Sequence, residues 1–148
     1  MRKIICIVLL LCLVLFTGCA QPQSIGIEDY VWQMSSIQSA GKNGAAVAYG
    51  PEGSSTLEGA VELDMVCEAA GGVLSLTDKT NGKAYTGTYS KKQANPESVI
   101  YEIEITENHG YGTAGLTEYK DGTTRPTLIL AVGDHSINFF ADTGKITE

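Results

Sequence analysis

The sequence predicts an all-β protein: an antiparallel up-and-down β-barrel of eight or nine strands, with a two-sheet β-sandwich as the alternative. Three observations carry this. From Asp29 onward apolar and polar residues alternate with a period of two, as on a pleated strand, with almost no helical spacing. The runs are punctuated by Gly-, Asn- and Asp-bearing turns about every 8–12 residues. The links are too short for parallel crossovers, so successive strands pair antiparallel, and closing so long a meander removes its exposed edges.

Strands are expected at Tyr30–Ser39, Gly44–Gly50, Ala60–Ala69, Val73–Thr77, Lys83–Ser90, Ser98–Thr106, Tyr111–Lys120, Pro126–Val132 and His135–Ala141. The first places Trp32, Met34 and Ser36 on one face, and the second is weaker. Residues 51–58 are Gly, Ser and Pro punctuation and form a loop. The third strand alternates Val61, Leu63, Met65 and Cys67 against Glu62, Asp64 and Glu68. Ala70-Gly71-Gly72 turns the chain. Asn81-Gly82 marks a hairpin of type I′, which needs positive φ at both central residues. The fifth strand places Tyr85, Gly87 and Tyr89 on one face. Asn95-Pro96 breaks the chain, and the sixth strand alternates Val99, Tyr101, Ile103 and Ile105 against Glu102 and Glu104. Turns follow at Asn108-His109-Gly110, Asp121-Gly122 and Gly133-Asp134. The apolar run of the eighth strand implies cover on both faces. Residues 142–148 are left as a frayed tail.

The first 18 residues are an address. Arg2 and Lys3 precede an uncharged apolar run from Ile4 to Phe16, 13 residues long, where a spanning helix needs about 20. Phe16-Thr17-Gly18-Cys19 resembles a bacterial lipobox. The resemblance implies cleavage before Cys19 and a diacylglyceryl group on its sulfur, which would hold the protein to the extracytoplasmic face of the cell membrane. Residues 19–28 would then be a lipid-anchored tether and residues 29–148 the barrel domain. The whole chain carries 17 acidic and 10 basic side chains, net −7. Without Arg2 and Lys3 the balance is 8 basic to 17 acidic, net −9. That balance argues against a nucleic-acid partner, which requires a basic surface, and leaves tethering to the lipid.

Of the four cysteines, Cys6 and Cys12 leave with the signal and Cys19 is the anchor, so Cys67 stands alone as a core thiol with no disulfide to make. His109 and His135 are read as turn residues, unpaired at any ligand spacing, so no metal is expected. No Gly-x-Ser-x-Gly elbow or phosphate-cradling glycine loop is present, the paired carboxylates Glu102 and Glu104 read as solvated charge on the outer face of one strand, and neither an enzyme nor a cofactor is expected.

Three segments carry a family resemblance: Trp32 early in the first strand (YVWQMSSI), Leu74–Asp78 followed by Gly82–Tyr89, and the closing pair Leu128–Leu130 with Ile137–Phe140. Together they resemble the lipocalin-like small barrels of bacterial lipoproteins. Tyr30 stands where that family carries a Gly two residues before the Trp. Alternation turns Trp32, Met34, Leu63, Met65, Tyr85, Tyr89, Tyr101, Ile103 and Phe139 inward. Of these, Trp32, Met65, Tyr85, Tyr89, Tyr101 and Phe139 are the candidate ligand-binding residues. An eight-stranded barrel is just wide enough to be packed or to hold one small ligand, and both remain open. The function expected is a lipid-anchored binding module for a small apolar or amphipathic molecule. The alternative is an interaction or inhibitor domain, packed throughout, that meets an envelope protein.

Overall fold

The structure, a computed structural model, describes residues 24–40, 46–51 and 61–145. The expected signal segment (1–18), Cys19 and most of the expected loop 51–58 lie outside the described residues. A 3₁₀ turn, Ile27–Asp29, leads into β1 (Tyr30–Ala40), β2 (Ala46–Gly50), β3 (Val61–Glu62), β4 (Met65–Ala70) and β5 (Val73–Asp78). There follow β6 (Lys83–Ala94), β7 (Ser98–Ile105), β8 (Asn108–Glu118), β9 (Thr124–Val132) and β10 (His135–Lys145).

Each strand from β4 to β10 pairs antiparallel with the next, and β10 returns to β1, which also pairs with β4. Eight strands therefore close an up-and-down, lipocalin-like barrel. The seam is registered by Trp32 opposite Ala141, Met34 opposite Phe139 and Ile37 opposite Ile137. β2 and β3 lie outside this ring. β1 pairs with β4 only at Trp32 and Gln33, and its far half, Ile37–Ala40, pairs with β2 instead. β3 runs parallel to β2, the exception to the expected antiparallel pattern.

The expected third strand is broken at Leu63-Asp64. Asp64 is drawn into the β5–β6 loop: its carbonyl accepts from Lys79 N (2.8 Å), its amide donates to Thr80 Oγ1 (2.8 Å), and its carboxylate accepts from Gln33 Nε2. Val61, expected inward, is 51% exposed because it pairs with Tyr49 on the outlying β2. In β1 a bulge between Met34 and Ser36 inserts an extra residue and turns Ile37, not Ser36, inward. The strand β10 extends to Lys145, so part of the expected tail is ladder.

Two turns differ from expectation. The β5–β6 loop has four residues, Lys79–Gly82, with Asp78 opposite Lys83. Gly82 is left-handed (φ +66°) while Asn81 is not. The buried Asp78 carboxylate closes the loop by accepting from Asn81 N and Asn81 Nδ2, both at 2.9 Å. At β7–β8, Ile105 pairs with Asn108, leaving a two-residue turn, Thr106-Glu107. Asn108, His109 and Gly110 are already strand. Thr106 (φ 48°) and Glu107 (φ 67°) both take left-handed conformations, disfavoured for a side chain with a Cβ and most of all for a β-branched one. Replacing the pair by Asn-Gly, the sequence this turn prefers, should raise stability by about 1–2 kcal/mol, seen as an increase in Tm. An unchanged Tm would mean that the turn is not strained.

The core runs along the barrel axis. Trp32, Met34, Cys67, Leu74, Ile103, Leu128, Leu130 and Phe139 are all buried. β8 makes room for them with small inward residues, Gly110, Gly112 and Ala114, so that side chains from β7 and β9 cross the space.

Candidate functional site

The barrel's two ends differ, and the difference begins in local sequence. At the end bearing the β4–β5, β6–β7 and β8–β9 turns, the chain before β1 folds across the opening. Residues 26–28, expected within a tether, fold onto the barrel here. Ile27 is fully buried. Its amide donates to the Tyr101 hydroxyl (3.0 Å), and its carbonyl accepts from Trp32 Nε1 (2.7 Å). Gly26 N donates to Asp29 Oδ2 (2.7 Å), tightening the turn. Tyr30 packs edge-on against Trp32, with ring centroids 5.4 Å apart. Tyr89 and Tyr101 make a second edge-to-face pair at 5.7 Å, and the Tyr89 hydroxyl accepts from Gly72 N (3.1 Å). Burial pushes the Tyr101 phenol above its ordinary pKa, against the opposing effect of the hydrogen bond from Ile27 N. This end is plugged: the Tyr101 hydroxyl holds the incoming chain and the Tyr89 hydroxyl holds the β4–β5 turn beside it.

The other end, ringed by the β5–β6, β7–β8 and β9–β10 turns, is open. A cavity of about 380 Å³ descends into the barrel there. Its walls are mostly apolar: Ile37, Met65, Leu76, Ile105, Val132 and Ile137, with Leu63 at the β3–β4 break. Tyr49 from β2 and Tyr85 from β6 add aromatic faces, and Thr106, Asn108 and His135 supply polar atoms at the rim. The cavity exists because β1 leaves β4 after Gln33, so the wall splays toward β2 on that side. Its size lies within the range of small-molecule pockets, roughly 300–1,000 Å³.

The six candidate ligand residues are thereby divided. Met65 and Tyr85 line the cavity. Trp32 and Phe139 are packed in the core below it, and Tyr89 and Tyr101 belong to the plug. His135, expected as an exposed turn residue, opens β10 and joins the rim. His109 lies in β8 rather than in a turn, 3.8 Å from the Glu104 carboxylate on the exposed face. Sequence reasoning missed Ile37, whose phase depends on the bulge, and Tyr49, which reaches the cavity from outside the ring. Ile105 was legible, being in phase with Ile103.

Cys67 is buried in the middle of the barrel opposite Trp32. Burial, with Glu68 adding to it, raises its thiol pKa well above the ordinary value, so the sulfur is held as the unreactive thiol. Among the described residues no group of three or more His, Cys, Asp or Glu side chains could hold a metal ion. Compared with protein-family models, with curated proteins and with solved structures, the chain gives no match.

Proposed function

We propose that this protein is a lipid-anchored extracytoplasmic binding module whose barrel mouth takes one small apolar or amphipathic molecule. The cavity carries the reading: it is concave, apolar on its walls and polar at its rim, which suits a ligand that buries a tail and leaves a head at the opening. The anchor rests on the Cys19 lipobox pattern, and with it the resemblance to lipocalin-like lipoproteins. The chain enters the barrel at the plugged end, so an anchor on Cys19 turns the mouth away from the membrane that holds it.

Among the described residues the barrel pairings and plug contacts run from residue 24 to residue 145, and the chain from residue 20 onward retains all of them. This soluble form, titrated with the neutral dye N-phenyl-1-naphthylamine, is expected to bind one equivalent saturably. Ile105→Phe, which fills the cavity from its wall, should weaken binding at least tenfold, whereas Val73→Thr on the outer face should not. Absence of saturable binding would remove the carrier reading.

The outer face favours a second reading. Tyr111 (59% exposed) and Ile129 (42%) are outward diagonal neighbours on β8 and β9, an apolar strip suited to a protein partner. Loss of crosslinking to an envelope protein on Tyr111→Ser with Ile129→Ser, in a variant that still binds the dye, would assign interaction to that face.

A further inference from the structure

The hollow at the mouth has a sharp floor. On six strands the next inward residue below the lining is Met34, Cys67, Leu74, Ile103, Leu130 or Phe139. Phe139 is 1% exposed and the other five 0%, and none of the six lines the cavity. β8 offers only Gly112 at this level, but Cδ2 of Leu130 and Cδ1 of Ile103 close over it, 3.1 and 3.2 Å from where a Cβ would stand. The floor is thus continuous across β7, β8 and β9, between the hollow and the plug.

The hollow is also shallow. Its lining takes at most two inward positions on any strand, as with Leu63 and Met65 leading into β4 and His135 and Ile137 on β10. Two residues of strand advance about 6.6 Å, or about 5 Å along the axis of a barrel whose strands tilt by about 40°. Two such layers make the hollow about 10 Å deep. Its volume of about 380 Å³ then gives a mean section of about 40 Å², of which an extended alkyl chain with carbon contacts at about 4 Å covers about half. Three bonds of extended chain advance about 3.5 Å, so about nine carbons run from floor to rim. The volume itself is that of about a dozen waters. A single straight chain would use up the depth and leave half the width unfilled, and unfilled apolar space forfeits contacts.

We propose that the mouth selects short, broad molecules: a fused two-ring or branched apolar body of about ten carbons with one polar substituent, in preference to a long single chain. This rests on the binding-module reading and adds to it the shape of the ligand. The apolar body stands on Ile103, Leu130 and Phe139 and fills the width between the walls. The substituent meets Thr106, Asn108 and His135 at the rim. A chain longer than about nine carbons reaches the floor and leaves its remainder in water.

The test is displacement of N-phenyl-1-naphthylamine from residues 20–148 by neutral alcohols, each below its solubility limit. In the straight series from hexanol to dodecanol, affinity is expected to rise about fourfold per methylene up to nonanol, and less than twofold per methylene beyond it. Decahydro-2-naphthol, with the same number of carbons as decanol, should bind at least threefold tighter than decanol, although it has less apolar surface to remove from water. Ile105→Phe should weaken both at least tenfold, which ties the binding to the cavity. Leu130→Ala, which lowers the floor beneath Val132, should carry the steep rise on to undecanol, and levelling still at nonanol in the folded variant would overturn the floor. Should that variant fail to fold, the wild-type series decides alone. A steep rise continuing to dodecanol, or decanol binding tighter than the bicyclic alcohol, overturns the shape selection and leaves the binding module standing. Saturable binding of the dye that no alcohol displaces does the same. If the dye itself does not bind saturably, the module falls.

Discussion

Replacing Trp32 by Ala should cost the barrel about 3–5 kcal/mol, a large part of the roughly 5–15 kcal/mol by which a small domain is stable. Trp32 is fully buried, and its indole joins the core to the plug by donating to the carbonyl of Ile27. Ala leaves a cavity where the ring stood and strands that carbonyl. Trp32→Phe separates the two effects. It keeps most of the apolar volume and removes the donor, so it should cost about 1–3 kcal/mol. Urea unfolding followed by far-UV circular dichroism measures both, since the variants lose the chain's one Trp as a fluorophore. Equal and small losses in the two variants would show that the plug is not held by this residue.

Gly110→Ala should be about as damaging, for a reason of backbone rather than side chain. A Cβ at Gly110 would stand 1.9 Å from the carbonyl oxygen of Ala131 and 2.8 Å from the Cα of Val132. Neither atom yields without moving β9 away from β8. The expected cost is more than about 3 kcal/mol, beyond the usual range for overpacking. Gly112→Ala is the control two residues along the same face. Its nearest neighbours are the methyl ends of Leu130 and Ile103, at 3.1 and 3.2 Å, which turn aside at a cost of about 1 kcal/mol. The order of the two midpoints in urea checks the argument, and a reversed order would refute it.

These glycines show what alternation conveys and what it omits. The period of two correctly put Trp32, Met34, Met65, Tyr101, Ile103 and Phe139 inside, and the short links correctly gave antiparallel neighbours closing a barrel. Alternation reports which face a residue takes, however, and not its height along the axis. Met65 and Tyr101 are equally inward, yet one lines the cavity and the other holds the plug. Height is decided by strand register and by the chain before β1, whose Ile27 finds its partners 74 residues away at Tyr101 and five away at Trp32. The β1 bulge was illegible for a similar reason, since it is defined only against β10. The turn at Thr106-Glu107 was misplaced because Asn108-His109-Gly110 carries better turn residues. Pairing of β7 with β8 overrode that local preference.

The closing seam between β1 and β10 also imposes an order in time. Trp32 lies opposite Ala141, a partner 109 positions further along the chain. At the usual pace of synthesis, about 5–20 residues per second, residue 32 emerges roughly 5–20 s before its neighbour exists. Contacts so distant in sequence make folding slow. Hairpins from β4 to β9 can form as they appear, but until the last strand arrives there is a curved sheet with two free edges and no enclosed interior. The hollow at the mouth is thus a late product of the chain, absent from every truncated form that lacks β10.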